Sequence, residues 1–253
     1  MRILRKDKLI QITFMPRMFP VNCYLIEEEE GVTLIDAALP YSVKGILRAV
    51  ATTAKPLTRI ILTHAHDDHV GALDAIKGKY PNIQVYISER DARLLEGDVT
   101  LDDDEPQTPI RGGVPKKVAT RADVLLAEGD RVGSLLVVSS SGHTPGSISL
   151  LDTRSGALVV GDAFQTRGGI AVSGVMRPLF PFPAMATWNF ETALRSARKL
   201  ADLKPSLLAA GHGSMISDPV GDMEKAIGQA EIKLAALQAG RKGEPRHVTK
   251  SGN

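Results

Sequence analysis

The chain has 253 residues, 43% hydrophobic and 24% charged, enough to bury a sizeable core and too apolar to be mainly disordered or fibrous. Lys+Arg total 31 against 29 Asp+Glu, a net charge of +2, so no overall field draws the chain toward nucleic acid or an anionic membrane. A lone cysteine, Cys23, excludes an intramolecular disulfide and any zinc site built on several thiolates, and its place in a strand pattern reads as a buried structural thiol.

The N-terminus is basic at Arg2, Arg5, Lys6 and Lys8 and then alternates from Leu9, a strand pattern and not the apolar core of a secretory signal. No run approaches the roughly 18 apolar residues of a membrane helix, so cytoplasm is the expected location. Strands are expected at 9–14, 22–27 and 32–36, then a helix at 41–52 entered through Pro40. Ile60-Ile61-Leu62 marks a short buried strand at 59–62. Residues 69–79 carry apolar side chains at helical spacing (Val70, Leu73, Ile76), and a strand at 84–87 leads into a helix at 88–95 capped by Ser88. Residues 97–117, with Asp102, Asp103, Asp104 and Glu105, read as a solvated polar loop. Strands resume at 123–126, 134–139, 147–152 and 157–161. A Gly/Pro-rich apolar loop, 168–186, precedes a helix at 188–203, a strand at 206–209 and a last helix at 218–238. Residues 1–240 are read as a single domain and 241–253 as a polar, mobile tail. Two similar halves, each with strands followed by helices, fit two sheets with helices packed outside them.

Five of the six histidines fall in three short motifs, each just after an expected strand. The first is Thr63-His64-Ala65-His66-Asp67-Asp68-His69, the second Gly142-His143-Thr144-Pro145-Gly146, the third Gly211-His212-Gly213. A further pair, Gly161-Asp162, closes the strand at 157–161. Strand ends are where loops converge and sites are built. His64 and His66 are two apart, so on extended backbone they point the same way and can share one cation. Asp68 and His69, opening the next helix, reach a second. His64, His66, Asp68, His69, His143, Asp162 and His212 give seven donors, the number two metal ions need if one carboxylate bridges. Imidazole and carboxylate donors without thiolate suit Zn²⁺, Mn²⁺ or Fe.

His64-Ala65-His66-Asp67-Asp68-His69 resembles the HxHxDH signature of the metallo-β-lactamase superfamily. Gly142-His143-Thr144-Pro145-Gly146 is similar to its GHTPG element, and Gly161-Asp162 and Gly211-His212-Gly213 to its later ones. The resemblance runs over residues 9–235 and implies a four-layer αββα sandwich, of mixed α/β (α+β) class, with a dinuclear site at one edge. It implies that His64, His66 and His143 hold one metal ion and Asp68, His69 and His212 the other, with Asp162 bridging. Asp36 matches an aspartate that supports the site, and is equally a simple strand-end turn residue.

The expected activity is hydrolysis by a metal-bridged hydroxide of an ester, thioester or lactone carbonyl, with Asp68 passing a proton to the leaving group. The sequence after Asp162 reads Ala163-Phe164-Gln165-Thr166-Arg167. It lacks the residues that glutathione thioesterases and acyl-homoserine lactonases of the superfamily carry there. A mono-iron persulfide dioxygenase and an idle metal-binding scaffold are the alternatives. Residues 170–188 are strongly apolar and either line a substrate pocket with the loop 15–20, or, like that loop, cap the core or make a dimer contact. In the pocket reading the partner is a small molecule with an apolar or acyl portion, and Arg167 and Arg177 are the nearby cations. Neither nucleic acid nor membrane is an expected partner; a homodimer is possible.

Overall fold

The computed structural model describes residues 1–243. The first half builds a seven-stranded sheet in sequence order: β1 (Arg2–Lys6), β2 (Leu9–Phe14), β3 (Val21–Glu27), β4 (Val32–Ile35), β5 (Leu57–Ile61), β6 (Gln84–Ser88) and β7 (Val124–Leu126). The first four pair antiparallel and the last four parallel. Parallel neighbours need crossovers, and helices supply them: α1 (Val43–Ala51), then α2 (Asp67–Val70) with α3 (Leu73–Lys79), then α4 (Glu89–Leu95). The second half gives a six-stranded sheet from β8 (Arg131–Val132), β9 (Leu135–Ser139), β10 (Ile148–Asp152), β11 (Ala157–Gly161), β14 (Leu207–Ala210) and β15 (Ile216–Ser217). Between β11 and β14 lie a two-stranded ribbon, β12 (Phe164–Gln165) with β13 (Ala171–Val172), and the helices α5 (Phe182–Met185) and α6 (Phe190–Asp202). The long helix α7 (Val220–Gly243) follows.

Neighbouring residues on one strand show why this is a four-layer sandwich. Leu34 and Ile60 point into a cluster with Ile46, Leu73 and Ile76 of the helices, whereas Ile35 and Ile61 point into a second cluster with Val137, Leu150 and Val159 of the other sheet. A third cluster places Leu158 and Leu208 against Leu194, Leu200 and Met223 of α6 and α7. Both faces of each sheet are therefore buried, which is why β4, β5, β11 and β14 read as apolar runs and not as alternating strands. The αββα arrangement implied by the sequence motifs is the observed one.

The departures from expectation are local. β1 was not expected; it is an edge strand whose side chains are mostly exposed, so it carries no alternating apolar signal. The helix expected at 69–79 is two, α2 starting earlier at Asp67 and breaking after Val70. At the break Gly71 donates its N–H to Ala38 O at 2.7 Å, and a Cβ there would lie 2.6 Å from the Pro40 ring, so the chain passes where only glycine fits. The apolar loop 168–186 contains the short α5 and β13. Of the tail expected at 241–253, residues 241–243 continue α7 and the rest lie outside the described residues. No helix among the described residues is long and apolar enough to cross a membrane. Cys23 is buried on β3, and burial pushes its thiol up.

Candidate metal centre

β4 and β5 are parallel, as are β11 and β14; β9 runs antiparallel to β10, which runs antiparallel to β11. The ends of β4, β5, β9, β11 and β14 thus share one edge of the sandwich, with the two sheets tied there by Ile148 N–H on Thr63 O at 2.9 Å. The five motif histidines and both motif carboxylates meet at that edge. Ligand atoms lie within 4.8 Å of one another in three groups: His64, His66 and His143; His64, His69 and Asp162; Asp68, His69 and His212. The seven residues expected as donors are the seven brought together.

Each histidine has its outward nitrogen committed elsewhere. His69 Nδ1–H donates to Asp36 Oδ2 at 2.9 Å, His212 Nδ1–H to Pro20 O at 2.7 Å and His66 Nε2–H to Arg111 O at 2.9 Å. Thr187 Oγ1 donates to Pro183 O, so it accepts from Ser173 Oγ, which in turn accepts from His143 Nδ1–H at 3.0 Å. Thr63 Oγ1 donates to Asp36 Oδ2, so it accepts from His64 Nδ1–H at 3.1 Å. These partners fix the tautomers and aim His64 Nε2, His66 Nδ1, His143 Nε2, His69 Nε2 and His212 Nε2 at one another, the outer support typical of metal-binding imidazoles.

The residues fit bound metal on two observations. His64 Nε2, His69 Nε2 and Asp162 Oδ1 are buried with no hydrogen-bond partner, a costly condition for polar atoms. His66 Nδ1 and His143 Nε2 face each other at 3.0 Å, where two lone pairs repel unless a cation draws them together. Burial drives the His64 imidazole well below its ordinary range and the His143 imidazole to about 3, so both are neutral donors. Burial also acts to lower His69, but Asp162, Asp68 and Asp36 overcome it and raise that imidazole to about 10. Burial acts to raise the Asp162 carboxyl, and His212 and His69 override it, holding it well below the usual carboxylate range. Asp162 lies 3.2 Å from His212 Nε2, 3.4 Å from His143 Nε2 and 3.5 Å from His69 Nε2. Asp162 thus stands at the centre of the cluster. Asp68 is the open member, its side chain 26% exposed where the five histidines are buried.

Asp36 has a left-handed backbone, φ 61°, and accepts from Thr63 N, Thr63 Oγ1 and His69 Nδ1. Both sequence readings of it hold: it ends a strand in a turn, and it steadies two histidines. Several supporting residues carry no motif. Asp91, fully buried on α4, accepts from Ala65 N at 3.0 Å, Thr144 Oγ1 at 2.7 Å and Gly146 N at 2.8 Å, tying both histidine loops to one carboxylate. The loop 97–117 was expected only as solvated surface. Its acidic run is exposed, but Arg90 on Glu105 and Arg93 on Asp102 anchor it. Its far end lays Arg111 O on His66 and Gly113 O on Asp67 N–H. Gly112 has φ +92°, and a Cβ there would lie 2.4 Å from His66 Nε2, so this close approach requires glycine.

Beside the donors lies a cavity of about 290 Å³ whose walls include Phe19, Phe182, Pro183, Met185 and Ala186. Of the apolar segment 170–188 only residues within 182–186, and of the loop 15–20 only Phe19, reach this cavity. Phe19 packs on Phe180 and Phe182 at 5.1 and 4.9 Å between ring centroids, and on His212 at 5.6 Å. The two cations expected near it are turned elsewhere: Arg167 donates to Arg17 O, and Arg177 to Ile170 O and to Gln229 on α7.

The Bacillus subtilis protein YobT is 57% identical over 91% of this chain and 99% of its own length. The probable metallo-hydrolase YflN of the same organism is 31% identical over 76% of this chain and 80% of its own. The crystal structure of TTHA1623 in a di-iron-bound form matches with a TM-score of 0.59 at 26% identity, covering 83% of this chain and 95% of that one. The family model described as metallo-beta-lactamase superfamily matches residues 16–212, and the chain belongs to that superfamily.

Proposed function

We propose that this superfamily hydrolase holds two divalent ions and cleaves an ester, thioester or lactone carrying an apolar acyl portion. The observation that carries the reading is the aromatic and aliphatic cavity opening directly onto five of the seven donors, His66, Asp68, His143, Asp162 and His212. Zn²⁺ fits the donor set best, with Mn²⁺ or Fe compatible with the same atoms; the di-iron form of TTHA1623 supports a pair of ions in a related site. His64, His66 and His143 would hold one ion, Asp68, His69 and His212 the other, and Asp162 would bridge. A single-iron dioxygenase would leave at least one of the three donor groups unused.

Bound divalent ions supply Lewis acidity to a carbonyl oxygen and bring the pKa of the hydrolytic water near neutrality. The chain's own residues do the rest. Phe19, Phe182 and Met185 hold the acyl portion and keep bulk water from it. Asp68, partly exposed and 3.5 Å from His212 Nε2, faces the open side of the site, takes up the proton that the attacking water releases and hands it to the leaving group.

A hydrolysis panel of acyl esters, thioesters, lactones, phosphodiesters and β-lactams with metal-loaded protein tests this. Activity is expected on the acyl substrates, with kcat/KM rising about two- to fourfold per added methylene while the chain still finds apolar wall. Strong phosphodiesterase activity without any gain from longer acyl chains would overturn the reading.

A further inference from the structure

Met185, the last residue of α5, borders two cavities. One face belongs to the metal pocket. The other belongs to a separate cavity of about 470 Å³ between residues 108–111, the start of α6 and the middle of α7. Its walls are apolar along Met185, Trp188, Phe190 and Leu237, and two cations stand among them, Arg111 and Lys233. The Met185, Met176 and Leu237 side chains there are half exposed, an apolar surface left open beside a reactive centre.

The cations are differently placed but both available. The Arg111 backbone is pinned between the cavities, since its carbonyl accepts from His66. Its exposed guanidinium lines the second cavity with no hydrogen-bond or ion-pair partner among the described residues. Lys233 Nζ donates to Gly174 O at 2.6 Å and sits 5.1 Å from the centre of the Phe190 ring. An ammonium has three protons to donate, so further donors remain. The acid of this cavity, Glu191, is engaged with Arg195 at 3.6 Å on the solvent side. The cavity therefore has apolar walls and a net positive rim.

We infer that this second cavity is a substrate subsite: the acyl chain passes over Met185 and ends in a carboxylate held by Arg111 and Lys233. The inference rests on the acyl-hydrolase reading and narrows it to acyl groups with an anionic far end. A guanidinium fork and an ammonium are the donors suited to a carboxylate, and a chain with only apolar atoms would leave the Arg111 guanidinium without a partner and the remaining Lys233 donors unused.

The test compares p-nitrophenyl monoesters of adipic, suberic and sebacic acid with p-nitrophenyl hexanoate, octanoate and decanoate on the metal-loaded enzyme. At the length that reaches the cations, the carboxylated ester is expected to exceed its neutral counterpart about tenfold in kcat/KM. The double variant Arg111→Gln/Lys233→Gln should bring that ratio to about one. A second readout does not depend on turnover. Trp188 is the only tryptophan in the chain and lines this cavity, so suberate should change its fluorescence saturably in the wild-type protein and not in the double variant. Hydrolysis of neutral esters with no carboxylate preference overturns the subsite and leaves the acyl-hydrolase reading standing. A preference that survives the double variant overturns it too. Failure of every ester, with a suberate response that the double variant abolishes, upholds carboxylate binding in this cavity and removes the ester-hydrolase reading.

Discussion

Replacing Asp162 by alanine is expected to lower kcat by at least about a thousandfold while leaving the fold intact. Asp162 is the carboxylate that approaches three histidines at once, His143, His69 and His212. Its removal takes away the carboxylate proposed to bridge the two donor sets, the nearest counter-charge of His212 and one of those around His69. The fold should survive because Asp162 follows Gly161 at the end of β11 and belongs to none of the three apolar clusters. Circular dichroism and a thermal midpoint near the wild-type value, together with lost turnover and a reduced metal content, would be the matching result. A variant that keeps wild-type kcat would contradict the role given to Asp162.

Asp91→Ala should be the most damaging change outside the metal ligands. It leaves Ala65 N–H, Gly146 N–H and the Thr144 hydroxyl without their buried acceptor, and unpaired buried donors are expensive. A loss of about 3 kcal/mol of stability is expected. Metal affinity should fall about 10- to 100-fold, the usual effect of losing a supporting partner behind metal ligands. Asp91→Asn keeps one acceptor oxygen and can still engage Thr144 and should fall between the two. Chemical denaturation and metal titration measure the two effects separately. Unchanged metal affinity in a folded Asp91→Ala protein would show that this carboxylate holds α4 alone and not the histidine loops.

The motif residues were legible because the fold places them by simple rules. Each follows a short apolar strand, and parallel strands end at one edge, so His64, Asp162 and His212 had to meet there. The buried layers were legible for the same reason, as in Ile60-Ile61-Leu62. What supports the histidines was not legible. Arg111, Pro20 and Gly113 act through backbone carbonyls, which carry no side-chain signature. Ser173 and Thr187 reach His143 through a relay of hydroxyls common in any loop. Asp91 lies in the first turn of α4, where its N–H donates to the Ser88 cap, but its carboxylate acts on residues 26 and 55 positions away. β1 escaped notice because an exposed edge strand has no buried face to impose alternation. Arg167 and Arg177 were plausible pocket cations by position alone; carbonyl and amide partners on neighbouring segments turn them away.

The claim on which everything else depends is that the seven clustered donors hold a pair of metal ions. Elemental analysis of the protein, purified without chelator from cells supplied with zinc or manganese, addresses it directly. About two divalent ions per folded chain are expected, falling well below that in the Asp162→Ala protein. A content near zero in the wild-type protein under those conditions would contradict it.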